Sequence, residues 1–119
     1  MNLKELSLFE AKGKYMIKFF ISQPMNGKTE EEILKERNEV IKAIEKYYAD
    51  DDTEVEIIDS YFKDYDPENG CIPLKYLAKS LEMLADADIV FFCRGWDTAR
   101  GCKIEHQCAV EYGIDRIYV

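Results

Sequence analysis

Residues 16 to 29 read MIKFFISQPMNGKT, and the fold turns on how they are parsed. MIKFFIS is an apolar run broken only by Lys18. It is too short for a core helix and suits a buried strand. SQPMNGKT then carries Pro24 and Gly27, both turn formers. Thr29 opens EEEILKERNEV, and Glu32, three residues on, completes a capping box. Strand, polar loop and capped helix form the first half of a βαβ unit.

The same alternation continues outward. Ile33, Leu34, Val40, Ile41 and Ile44 line one face of the first helix, which ends near Tyr48 before the solvated acidic turn Asp50 to Asp52. EVEIID (54–59) is a second strand. Residues 60–73 form a loop broken by Pro67, Gly70 and Pro73. A second helix carries Leu74, Leu77, Leu81 and Leu84 on one face. DIVFFC (88–93) is a third strand, RGWDTARG a loop, residues 99–113 a third helix ending at Gly113, and RIYV (116–119) a fourth strand. The order βαβαβαβ with apolar strands implies a parallel sheet covered on both faces. Right-handed crossovers then favour an α/β, flavodoxin-like three-layer sandwich, with about four strands in the order 2-1-3-4. Such sheets bind ligands at the carboxyl ends of strands where the order reverses, here between strands one and three. The loops SQPMNGKT and RGWDTARG follow those two strands. Residues 1–15 show no clear period and read as an N-terminal extension to a single domain, 16–119.

Bulk composition narrows the function. The 119 residues are 47% hydrophobic and carry a net charge of −8, enough for one core and unfavourable for duplex nucleic acid. No stretch reaches the roughly 18 apolar residues of a membrane span, and MNLKELSLFEAKGKY lacks the apolar centre of a signal peptide. Four cysteines without a C-x-x-C pair, and one histidine, are too few for a Cys/His metal site. These features describe a reduced, cytoplasmic, metal-free protein.

Gly27, Lys28 and Thr29 match the end of the phosphate-cradling pattern G-x-x-x-x-G-K-[ST], but Ser22 stands where its first glycine belongs and Pro24 removes a backbone N–H from the cradle. A nucleoside triphosphatase is therefore disfavoured. The loop Ser22, Gln23, Pro24, Met25, Asn26, Gly27 and Lys28 still opens a helix, where a sugar hydroxyl or one phosphate can be held, unless Pro24 and Gly27 only shape the turn and Thr29 only caps. The stronger signal is in TARGCKIEHQCAVEYG. On a helix, Gly101, Ile104, Cys108, Ala109 and Tyr112 share a face with Glu105. A carboxylate on an apolar stripe is costly to ionise, although the helix N-terminus supports its charge. Glu105 is either a nucleophile or electrostatic stabiliser, or an edge residue paired with Arg100, Lys103 or a neighbouring subunit. His106 points about a quarter turn away from it. Asp97 either caps the third helix or meets a ligand. Trp96, after Gly95, either stacks on a ring or packs at the root of its loop. Tyr61, Phe62 and Tyr65 form either an aromatic lid or a satellite core.

FFISQPMNGKT, LADADIVFF and GWDTARGCKIEHQCAVEYG together resemble the nucleoside 2-deoxyribosyltransferase superfamily, which includes the 2′-deoxynucleoside 5′-phosphate N-hydrolases. The likeness covers nearly all of residues 16–119 and is nearer to the short bacterial and phage branch. It implies a homodimer or larger homo-oligomer, no metal or organic cofactor, and a small nucleoside or nucleotide as substrate. It also implies that Glu105 is the nucleophile that attacks the anomeric carbon of deoxyribose. The pattern departs at three helper positions. The tyrosine that orients the nucleophile corresponds to Phe20, the acid on the second helix to Ser80, and the residue holding the sugar's 5′ end to Ala99. Asp97, Asp59 or a second subunit is then needed to supply the acid. A non-catalytic nucleotide-binding module on the same fold is the alternative.

Overall fold

The computed structural model describes residues 15–49 and 52–119; the rest of the N-terminal extension and Asp50–Asp51 of the acidic turn lie outside the described residues. Strands β1 (Tyr15–Ser22), β2 (Thr53–Ile57), β3 (Ile89–Phe92) and β4 (Asp115–Tyr118) alternate with helices α1 (Glu30–Tyr47), α2 (Ile72–Leu84) and α3 (Arg100–Glu111). All pairings are parallel and the sheet order is β2-β1-β3-β4. This is the expected α/β, flavodoxin-like architecture.

The layers follow from β1. Side chains alternate across a strand, so Ile17, Phe19 and Ile21 meet Val40 and Ile44 of α1 on one face. Phe20 turns to the other face and packs with Leu84 of α2, Ala109 of α3, Val90 and Phe92. From β2 onward the chain crosses back over β1 to β3 and on to β4. Right-handed crossovers in that direction put α2 and α3 together, opposite α1.

Local chemistry explains the boundaries. Thr29 caps α1 with both halves of the capping box in place, and Tyr48 closes it. Gly113, at φ +68°, ends α3. Several expected details differ. Helix α2 begins at Ile72, two residues earlier than the loop reading allows. Pro73 sits in its first turn, where a missing N–H costs nothing, so that proline starts the helix and does not break the chain. Leu74 consequently lies off the packed stripe and is 59% exposed, whereas Leu84 is buried. On α1, Arg37 is buried alongside Ile33, Val40 and Ile44, while Leu34 and Ile41 are half-buried. On α3, the buried face is Cys102, Glu105 and Ala109. Ile104 and Tyr112 turn outward, Tyr112 being 82% exposed. Strand β2 stops at Ile57, although the Ile58 N–H still donates to the Phe19 carbonyl (2.9 Å). Among the described residues no helix is long and apolar enough to cross a membrane.

Candidate functional site

The two unusual loops meet at the carboxyl ends of β1 and β3. The Cys93 N–H donates to the Ser22 carbonyl (2.9 Å), tying the strand ends together. A methyl group on Gly95 would lie 3.6 Å from Cγ of Pro24, so the second loop runs against the first. Gly95 takes φ +88°, a left-handed conformation in which a side chain is strained. It turns the chain into a tight bend held by Trp96 N–H to the Cys93 carbonyl (3.1 Å) and Thr98 N–H to the Gly95 carbonyl (3.1 Å). From that bend α3 sets off with Glu105 pointing back at the end of β1.

Glu105 is only 7% exposed. Its Oε1 accepts a 2.7 Å hydrogen bond from Oγ of Ser22, the last residue of β1. Oε2 is the carboxylate oxygen without a protein hydrogen-bond partner among the described residues, and it is not a fully enclosed orphan. Burial pushes the carboxyl up to about 7, and the Ser22 hydroxyl acts against that rise. Burial therefore outweighs the support expected from the helix N-terminus. An acid poised near neutrality can serve as nucleophile, base or acid. Cys102, three residues earlier on the same buried face, adjoins this pair. Burial pushes its thiol up to about 11, with Ser22 opposing and Glu105 adding to the shift.

The first loop is less open to an anion than its sequence suggests. Gln23 is buried, and its Nε2 donates to the Ile33 carbonyl (2.8 Å) and to Oε1 of Glu36 (3.0 Å). Lys28 Nζ lies 3.5 Å from the same Glu36 oxygen. The Thr29 N–H is taken by Glu32, the Glu32 N–H by Thr29, and the Lys28 N–H by the Met25 carbonyl. Glu30, Glu31 and Glu32 fill the first turn of α1. Three of the donors a phosphate cradle could use are thus already engaged, and carboxylates occupy the favourable end of the helix dipole. Pro24 and Met25 are half-buried, while Asn26 and Gly27 are exposed at the loop tip.

The α3 side differs. Its N-cap is Ala99, with no side-chain cap and no acid in the first turn. Asp97 is exposed and does not cap the helix, which corrects that expectation. A methyl group on Gly101 would meet no atom within 4 Å, so there is room beside the helix start. Ser80 is half-buried on α2. Trp96 packs on Phe92 (5.3 Å between centroids) and stacks on His106 (4.2 Å, 29°), so one indole face is covered by the protein itself. His106 turns away from Glu105, with Nε2 2.7 Å from the Tyr118 hydroxyl. Phe62 and Tyr65 belong to a cluster on α2, where Tyr76 Oη donates to the Tyr65 carbonyl (2.5 Å) and Lys79 Nζ lies 5.0 Å over the Tyr65 ring. That is a satellite core. Among the described residues, no three His, Cys, Asp or Glu side chains gather as metal donors.

Three residues escaped sequence reasoning. Cys102 follows Glu105's own spacing, and Arg37 falls four residues after Ile33 and three before Val40, on the stripe itself. Arg37 donates to Ser60 Oγ (3.2 Å) and the Ile58 carbonyl (3.1 Å), and Ser60 donates to the Ile21 carbonyl (3.2 Å), which ties α1 to the ends of β1 and β2. Glu36, the shared acceptor of Gln23 and Lys28, carries no comparable signal.

The chain matches no family model and no curated protein. Among solved structures it is similar to the crystal structure of a conserved protein from Enterococcus faecalis V583, at 13% identity with a TM-score of 0.63. The match covers 87% of this chain and 62% of that one, so this chain spans less than two thirds of its neighbour's length. At that identity the similarity speaks to the fold alone: an independent protein shares this architecture.

Proposed function

We propose that the protein cleaves or transfers an N-glycosidic bond of a small nucleoside or nucleotide, with Glu105 as nucleophile. The observation that carries this reading is a buried carboxylate at the strand-order reversal, with one oxygen held by Ser22 and the other without a protein hydrogen bond among the described residues. Oε2 of Glu105 would bond to the anomeric carbon as the C–N bond breaks. The electron pair leaves with the base, which takes up a proton. Water or a second base then attacks the same carbon and releases the carboxylate. Two displacements retain configuration. The resemblance to deoxyribosyltransferases supports 2-deoxyribose as the sugar. The open start of α3, at Gly101, supports a ligand entering from that side, with the free edge of Trp96 beside the base. A cytoplasmic location and a homo-oligomer belong to this proposal; half-buried Ser80 on α2 and exposed Leu74 and Tyr112 leave room for a second subunit's contribution.

Intact mass spectrometry after brief incubation with 2′-deoxynucleosides and their 5′-monophosphates tests the reading. A 2-deoxyribosyl adduct present in wild type and missing in Glu105→Gln is expected. Base release without any dependence on Glu105 would overturn it.

A second reading is a nucleotide-binding module without turnover. Phe20, buried and lacking a hydroxyl, and Asp97, exposed and off the helix cap, favour it. Equal nucleotide affinity in wild type and Glu105→Gln, with no base released by either, would select it.

A further inference from the structure

The resemblance read from the sequence puts Phe20 where a tyrosine hydroxyl would orient the nucleophile, and phenylalanine has no hydroxyl to do so. Its ring is sealed between Leu84, Val90, Phe92 and Ala109. Two residues later the same face of β1 presents a hydroxyl. Ser22 Oγ lies 2.7 Å from Oε1 of Glu105, both groups are buried, and 83 residues separate them in sequence. The bond joins the end of β1 to the second turn of α3. It fixes one carboxylate oxygen and so aims the other. From this we infer that Ser22 is the positioning residue for Glu105, replacing the orienting hydroxyl lost at Phe20, and that it is not a substrate-binding residue. The inference rests on the proposed nucleophile for its catalytic meaning, but the pairing is testable without turnover.

The hydroxyl donates to whichever form of Glu105 is present, and it favours the ionised one, since carboxylates accept the stronger hydrogen bond. Nearby groups leave this effect visible. The Cys102 thiol, pushed up to about 11, stays neutral through the titration of Glu105. Lys28 and Glu36, across the loop, lie 3.5 Å apart as an ion pair. Burial and Ser22 are the two influences on the carboxyl itself.

The experiment is a carbon-13 titration of the Glu105 carboxyl in wild type, Ser22→Ala, Ser22→Cys and Ser22→Thr, assigned with Glu105→Gln and run alongside kinetics. A hydrogen bond to a charged group is worth a factor of roughly 10 to 100 in equilibrium terms, or about one to two pH units. The expected result is an upward move of that size in Ser22→Ala, and a smaller one in Ser22→Cys, which keeps the shape with a weaker donor. Ser22→Thr restores the wild-type midpoint. Where base release is measurable, kcat should fall roughly 10- to 100-fold in Ser22→Ala with KM nearly unchanged. An unmoved titration in folded Ser22→Ala or Ser22→Cys, or a loss confined to KM, would overturn the positioning role. A titration shifted in Ser22→Ala, with no base released by the wild-type protein, would leave the pairing standing and remove the proposed function.

Discussion

At the scale of single residues, Glu105 concentrates the energetic tension of the molecule. Its carboxyl titrates near 4.5 when unfolded and at about 7 in the fold. The folded value is raised, so the protonated form is favoured by folding. Stability is therefore highest below the unfolded value and falls as pH rises through the folded one. A displacement of that size corresponds to roughly 3 kcal/mol. Glu105→Gln removes the titration. We expect melting curves of the two proteins to coincide near pH 4 and to separate near pH 8.5, with the variant firmer by up to about 3 kcal/mol, provided its amide finds partners. Turnover, which needs the ionised carboxylate, should climb through about pH 7 in wild type and vanish in the variant. A variant that melts lower at pH 8.5 while still releasing base would mark Glu105 as a structural anchor.

Among the secondary-structure elements, legibility followed the strength of local chemistry. The capping box at Thr29 and Glu32 was readable because it lies within four residues, and α1 starts where it says. Thr29→Ala should cost about 1 kcal/mol, seen as a lower urea midpoint with an unchanged slope, without altering the site. The βαβ alternation was readable because strand and helix periods differ, and the sheet order favoured by right-handed crossovers on a sheet covered on both faces is the one observed. Facing was harder. Both Pro73 and Leu74 were misjudged because a proline in a first helical turn looks like a breaker until the helix is seen around it. Ile104, Ala109 and Tyr112 were all read onto the face of Glu105; Ala109 is there, but α3 is rotated so that Cys102 joins it while Ile104 and Tyr112 turn outward, because a short helix with small apolar residues has no unique stripe. Arg37 sits where periodicity alone would put an aliphatic residue, and its charge argued it outward. Its contacts to Ser60 and Ile58 come from segments more than twenty residues away, beyond any local signal. The Ser22–Glu105 bond was hidden for the same reason: each residue was visible, their meeting was not.

For the molecule as a whole, α2 buries Leu84 and leaves Leu74 exposed, and α3 and its cap present Ile104, Val110 and Tyr112 to the outside. Apolar side chains on two neighbouring helices are an economical place for a second copy to pack. Light scattering is expected to show a dimer or larger, shifted toward 13.9 kDa by Leu74→Glu combined with Tyr112→Glu. A wild-type particle of monomer mass at every concentration would remove the second subunit as a source of missing acid groups. One more consequence comes from β1, whose odd positions Ile17, Phe19 and Ile21 serve one core while Phe20 and Ser22 face the other. The strand is in effect written in two interleaved messages, and its reading frame in space matters as much as its letters. Removing a single residue between Ile17 and Ile21 exchanges the messages: Ser22 turns to the layer of α1, and Glu105 on α3 is left without its hydroxyl. Length in β1 is thus constrained more tightly than identity. A one-residue deletion there should abolish cooperative unfolding, while a one-residue insertion at the exposed stretch Glu68–Asn69 should leave the melting transition nearly where it was.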